Sequence, residues 1–228
     1  MRFVVSLRSS LMKRICLLLL AAVAPFAITG CVTGGLPGSY HVVAYKPHNP
    51  DAVSVYVSKS KEQVYVMEGS RCLMAAACDV GLPDKPTPSG HFNIEEKIQD
   101  KRSGAYGFSV SGGMVTPCDA GECKGSYVGY PMPFWCGFEP GYGFHQGYVW
   151  PVARTHGCIR LDKQVAPRFY ELVHNGTPVD IAETQPLDAT VGQNVARPQD
   201  YRDPDPAPSF MISSGPFQKP PGDLLIAQ

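Results

Sequence analysis

Val53-Ser-Val-Tyr-Val57 and Gln63-Val-Tyr-Val-Met67, joined by Ser58 to Glu62 and followed by the turn Glu68-Gly69, decide the reading of the fold. The first run alternates valine with a second residue at period two. Both are rich in β-branched and aromatic side chains, which suit a half-buried pleated surface. Separated by turn residues, they predict hairpins. Arg71 to Val80 extends the pattern as a third strand, and Pro83, Pro86, Pro88 and Gly90 break it before a short run from His91 to Ile94. One helix is expected where Val165, Phe169, Leu172 and Val173 fall at i, i+4, i+7 and i+8. Pro167 is tolerated only in a first turn, so the regular helix runs from about there to Val173, with Gly176 just past its end. Thr177 to Ile181 then closes the region as a strand. The predicted class is mainly β with one or two short helices.

Outward from that core, the chain opens with Arg2, Arg8, Lys13 and Arg14, then the apolar run Ile15 to Ile28, then Ile28-Thr-Gly-Cys31. Basic, apolar and small-residue segments in this order predict a secretory signal over residues 1–30. An apolar run of 14 residues is too short to cross a hydrocarbon core of ~30 Å as a helix. Ile-Thr-Gly-Cys resembles a bacterial lipobox, which makes Cys31 the expected lipidation site and new N-terminus. Two or three acyl chains give stable membrane attachment where one is marginal. The expected location is the cell envelope, facing the periplasm, and Val32 after the cysteine favours the outer membrane over the inner. Residues 31–52, with Gly34, Gly35, Pro37, Gly38, Pro47 and Pro50, read as a flexible linker. Residues 53–182 are long enough for one domain with its own core. From Glu183 the chain carries eight prolines and loses apolar periodicity, so residues 183–228 are expected to be a disordered tail.

The chain holds 20 Lys+Arg and 20 Asp+Glu, and the signal takes four of the basic residues and none of the acidic ones. The remainder is mildly acidic, which argues against a nucleic-acid partner. Nothing calls for a cofactor, and a monomer is expected.

Thr155-His-Gly-Cys-Ile-Arg-Leu161 carries the chemistry. A cysteine in an exported protein is usually half of a disulfide. Cys158, however, follows a glycine and a histidine, and a second histidine, His145, lies upstream in Gly143-Phe-His-Gln-Gly147. A thiol needs a nearby base to act as a nucleophile at neutral pH, and His145 and His156 are both candidates. A zinc site on His145, His156 and Cys158 would need a further ligand that the sequence does not supply.

These residues resemble the L,D-transpeptidase catalytic domain (YkuD-like) family, whose signature is an upstream histidine, a spacer, then Ser/Thr-His-Gly-Cys. The matching positions are His145, Thr155, His156, Gly157 and Cys158. Lys85-Pro-Thr-Pro-Ser-Gly90 looks like the family's TPxG turn, and Met132-Pro-Phe134 and Gly176-Thr-Pro-Val179 agree as well. The resemblance spans about Val53 to Ala182. Two departures stand out: the spacer between His145 and Thr155 is short, and Arg160 stands where the family usually has Asn.

The resemblance implies a β-sandwich and an acyl transfer on peptidoglycan stem peptides. Cys158 would attack the carbonyl between an L-centre and a terminal D-residue, with His145 as base, its tautomer held by the Gln146 carbonyl. His156 would support the site. The N–H groups of Gly157 and Cys158 would face the oxyanion. Thr155 is expected at the substrate site, shaping the turn by local hydrogen bonds. Arg160 either binds a substrate carboxylate or forms a structural ion pair. Tyr130, Phe134, Trp135 and Tyr142 either wall the substrate groove or join the core. Two other readings stay open: an L,D-carboxypeptidase with water as acceptor, and a non-catalytic peptidoglycan-binding lipoprotein. Among the remaining cysteines, Cys72 and Cys78 are too far apart on one strand to bridge, whereas Cys118 and Cys123 flank a turn-like segment and form the expected disulfide.

Overall fold

The computed structural model describes residues 40–199, 201 and 206–227. Ten strands run in chain order: β1 Val53–Ser58, β2 Gln63–Glu68, β3 Arg71–Asp79, β4 Gly90–Asn93, β5 Glu96–Ser111, β6 Met114–Asp119, β7 Ser126–Glu139, β8 Tyr142–Gln146, β9 Ile159–Leu161 and β10 Pro178–Ala182. Two helices join them, α1 at Ala166–Leu172 and α2 at Pro208–Met211. The mainly β class with short helices is as the sequence predicts. The strands form one sheet in the order β4-β10-β1-β2-β3-β9-β8-β7-β5-β6.

The period-two signal does what it should in β1, where Val53, Val55 and Val57 are fully buried and the residues between them are half-buried. Antiparallel pairing of β1 with β2 and of β2 with β3 gives the predicted hairpins, and β10 adds to β1 in parallel. Pro167 sits in the first turn of α1, and Phe169 and Leu172 are buried below it. The Phe169 ring packs on Phe144 of β8, centroids 4.5 Å apart, so the helix lies under the strand that carries His145. Lys97 of β5 fastens the helix from the other side, its Nζ donating to the carbonyls of Tyr170 and Val173 at 2.6 Å each.

The sheet curls over on itself. β4 and β7 stand far apart in strand order, yet Phe92 of β4 packs on Phe138 of β7 at 5.2 Å, and Glu95 N–H donates to the Gly137 carbonyl. Val55, Val57 and Ile181 from one limb therefore share a core with Phe138, Phe144 and Ile159 from the other. Full burial contributes about 1.5–3 kcal/mol for each such side chain.

The signal and Cys31 lie outside the described residues. Two other expectations are corrected. Residues 40–52 are not a loose tether: Val42 and Ala44 are in the core, and Tyr45 N–H donates to the Leu73 carbonyl. Nor do the described residues after Ala182 lack structure. Gln185 is buried and donates to Asp180 Oδ1 at 2.7 Å. Asp188 accepts from Ser58 Oγ and from Tyr65 OH at 2.8 and 2.7 Å, and Arg197 pairs with Glu62 at 2.8 Å. Ile226 lies beside Tyr45 in a parallel bridge. The segment is held by these polar contacts and by Leu187, Val191 and Val195 packed against Tyr65, Met67, Cys72 and Ala75, too few apolar side chains to stand out in the sequence. Truncation at Glu183 removes the Asp188 carboxylate bonded by Ser58 and Tyr65, Tyr65 keeping Gln63 as a partner, together with the Arg197–Glu62 pair, at about 0.5–1.5 kcal/mol for each interaction lost. The melting temperature should fall by about 5–10 °C, at roughly 2–4 °C per kcal/mol for a chain of this size. Calorimetry showing no change would restore the picture of a loose tail.

Candidate active site

β8 and β9 are parallel neighbours, with Phe144 opposite Ile159, His145 opposite Arg160 and Gln146 opposite Leu161. Cys158 directly precedes Ile159 and so arrives beside the β8 segment that carries His145. Both residues line one cavity of about 550 Å³, together with Trp135, Tyr106, His156 and Arg160.

The turn before Cys158 is built by Thr155. Its buried hydroxyl donates to the Cys158 carbonyl at 2.6 Å and accepts the Gly157 N–H at 3.1 Å. The hydroxyl is thus committed to the turn, and the Gly157 N–H cannot also face an oxyanion, which corrects that expectation. Gly157 has φ +108°, and a Cβ there would meet the Tyr142 ring at 2.4 Å and the Pro86 carbonyl at 3.2 Å. Only glycine fits both the left-handed backbone and the close packing. The TPxG-like segment supports this turn, because buried Thr87 accepts the Gly81 N–H through Oγ1, while Leu82 N–H donates to the Thr155 carbonyl.

His145 is almost wholly buried, with its ring stacked at 6.3 Å on Trp135. Its Nδ1 lies 2.9 Å from the Gln146 carbonyl. A carbonyl can only accept, so Nδ1 carries the proton and Nε2 presents a lone pair. Burial, followed by the nearby Arg160 charge, pushes the His145 pKa down to about 4, against the pull of the Gln146 hydrogen bond. Burial raises the Cys158 thiol above its ordinary value, although the Gly143 backbone hydrogen bond and Arg160 act the other way. At neutral pH the pair is therefore a neutral imidazole and a neutral thiol.

His156 is exposed at the rim, its ring edge-on to Tyr106 at 5.0 Å. Of the two roles left open for Arg160, the ion pair has a partner in the structure. Arg160 lines the cavity, and its Nη1 lies 4.0 Å from Oδ2 of fully buried Asp79. Burial, only partly offset by Arg160, pushes the Asp79 pKa up to about 6. Trp135 walls the cavity and donates from Nε1 to Glu96 Oε1 at 2.7 Å, with Lys101 Nζ above its ring. Tyr130 also lines it, whereas Phe134 is buried in the core against Tyr170. Tyr142 packs on the core and under Gly157, so it supports the nucleophile turn rather than walling the groove.

Asp79, Glu96, Lys101 and Tyr106 are site residues that sequence reasoning missed. Asp79, a charge at the end of the apolar run of β3, was the one visible signal; the others sit in a polar strand without a motif. Cys118 and Cys123 are joined by a disulfide, with Cα atoms 5.5 Å apart. Cys78 and Cys136 are buried free thiols, and burial pushes Cys136 up to about 12. Among the described residues, no group of three His, Cys, Asp or Glu side chains could hold a metal ion.

The family model of the L,D-transpeptidase catalytic domain (YkuD) matches residues 52–181. Among solved structures, an L,D-transpeptidase from Mycobacterium smegmatis is similar at 18% identity over 57% of this chain and 58% of that one, TM-score 0.45. One from Stackebrandtia nassauensis is similar at 19% identity over 63% and 60%, TM-score 0.44. The chain thus spans about three fifths of the length of these structures. No protein of curated function matches it.

Proposed function

Because the chain belongs to the L,D-transpeptidase catalytic domain family, we propose that it is a peptidoglycan L,D-transpeptidase with Cys158 as nucleophile and His145 as general base. The observation that carries this reading is the parallel β8–β9 register. It brings the two residues to one cavity, with His145 tied through Nδ1 so that Nε2 is free.

In the first half-reaction, Nε2 accepts the thiol proton as Sγ bonds to the carbonyl carbon between an L-centre and a terminal D-residue. The typical target is the diaminopimelate to D-Ala bond of a tetrapeptide stem. The oxyanion is met by the Cys158 N–H, that of Gly157 being given to Thr155. The C–N bond then breaks, the proton on Nε2 passes to the leaving D-Ala amine, and a thioester remains. An acceptor amine attacks the thioester and gives a proton to Nε2, and the departing sulfur takes it back. Stem peptides are the partners, and His156 and Arg160 border the bound chain.

Mass spectrometry after incubation with a tetrapeptide stem and an amine acceptor tests the reading. A cross-linked product supports it. A trimmed tripeptide alone indicates the carboxypeptidase, and no change indicates a binder.

A second test uses pH. The base must be unprotonated, and its depressed pKa keeps it so down to about 4. kcat/KM should therefore stay level from about pH 7 to about pH 5 and fall only near pH 4. An acid limb at about 6.5, the ordinary histidine value, would contradict a buried neutral base.

The envelope location rests on residues 1–31: a cleaved signal and a lipid anchor at Cys31 would hold the domain on the periplasmic side, in the outer membrane by preference. Cys31→Ser should release the protein to the soluble envelope fraction or leave an uncleaved precursor. A normally processed, acylated variant would sink the anchor.

A further inference from the structure

β5 and β7 pair in two stretches that are out of register. Arg102 stands opposite Pro131 and Gly107 opposite Gly129, so four residues, Ser103 to Tyr106, face the single residue Tyr130. This wide bulge forms one wall of the cavity that holds Cys158. At its far end the Tyr106 ring meets His156. At its near end Ser103 approaches β7 so closely that a Cβ on Gly129 would fall 2.1 Å from the Ser103 carbonyl oxygen. Its middle residues are exposed, and polar contacts hold its shape: Ser103 Oγ accepts the Ala105 and Tyr106 N–H groups, Tyr127 OH donates to the Ser103 carbonyl at 2.9 Å, and Ala120 N–H donates to the Ala105 carbonyl at 2.8 Å.

Arg102, the last paired residue before the bulge, ties its near end to the C-terminal segment. Its Nη1 donates to the Gly129 carbonyl at 2.9 Å and to Met211 at 3.0 Å; its Nη2 donates to Ile212 at 3.2 Å and to Ser213 at 2.7 Å. Phe217 covers the guanidinium, ring centroid 4.8 Å from Cζ. All four acceptors are backbone carbonyls, and three belong to the end of α2 and the turn after it, where helix geometry leaves carbonyls without partners. One planar group thus joins the C-terminal segment to the strand just where it leaves the ladder.

We propose that Arg102 is a positioning residue through which the C-terminal segment, beyond the family-matched residues, holds the Ser103–Tyr106 wall in place for the substrate. The inference rests on the transpeptidase reading for its effect on turnover, but not for its effect on the wall. The segment acts as a strap: with it docked, the near end of the wall is fixed and the groove is preformed; without it, the wall keeps only its local hydrogen bonds and stem peptides must order it on binding.

The test compares the full chain with Arg102→Ala, with a chain ending at Ala207, and with both changes together. Three readouts are taken: amide hydrogen exchange at residues 103–106, alkylation of Cys158 by iodoacetamide, and KM and kcat for a tetrapeptide stem. Each single change should speed exchange at the bulge and raise KM about tenfold to a hundredfold, the cost of misplacing a binding wall by about an ångström. Alkylation should stay unchanged, because a small reagent does not need the wall. The double variant should be no worse than either single one. Unchanged exchange and KM in Arg102→Ala would overturn the proposal, as would additive effects or alkylation falling in step with turnover. If the intact protein does not process stem peptides at all, the functional reading fails, while exchange and alkylation still decide the strap.

Discussion

Cys158→Ala should leave no covalent adduct with a tetrapeptide stem or with a carbapenem, the inhibitor class to which the family resemblance points. Loss of the nucleophile should cost on the order of 10⁵–10⁶-fold in turnover, down to background. No other described thiol can substitute. Cys78 and Cys136 are buried with raised pKa values, Cys118 and Cys123 are bonded to each other, and Cys72 is disulfide-bonded as well. The fold should be unaffected, since Cys158 lies at the cavity edge and the turn that presents it is built from Thr155 Oγ1 and the Cys158 carbonyl, both kept in the variant. Intact-mass spectrometry and a melting curve read the two outcomes together. An adduct on the folded variant would mean that Cys158 is not the nucleophile.

His145→Ala should slow acylation by about 10²–10⁴-fold, the usual worth of a positioned base. The thiol starts neutral, so raising the pH should return part of the rate by forming thiolate without help. Burial makes the alanine variant structurally costly, because it leaves a void against Trp135. His145→Gln, closer in volume, keeps the test clean if the first variant melts early. His156→Ala should show a loss without alkaline recovery, because that ring stands at the rim against Tyr106. Alkaline recovery in His156→Ala and none in His145→Ala would reverse the two roles.

The short spacer between His145 and Thr155 has a structural counterpart. Gly147 N–H donates to the Leu161 carbonyl, and Arg154 N–H donates both to the Val80 carbonyl and to Asp79 Oδ1 at 2.9 Å. Both ends of the loop are thus pinned to the sheet, leaving little slack over the cavity. The buried Asp79 carboxylate serves this loop and faces Arg160 at once, which explains why a charge is kept at the end of an otherwise apolar strand.

Much of the molecule was legible in the sequence because the relevant signals are local. The valine alternation of β1, the proline position in α1 and the Thr-His-Gly-Cys run each reflect a steric or chemical rule acting within a few residues. They were enough for the fold class, the family resemblance and the residues of chemical interest. What required tertiary structure depends on who meets whom across the fold. Examples are β5, a strand too polar to show alternation; the exclusion of the Gly157 N–H from the oxyanion site; Tyr142 beneath the turn rather than in the groove; and a C-terminal segment held by the carboxylate of Asp188 and the guanidinium of Arg102 as well as by a few scattered apolar side chains. A hydrogen bond between residues more than a hundred positions apart leaves no period or motif in the chain, because its partners become neighbours only when the sheet curls and brings them together.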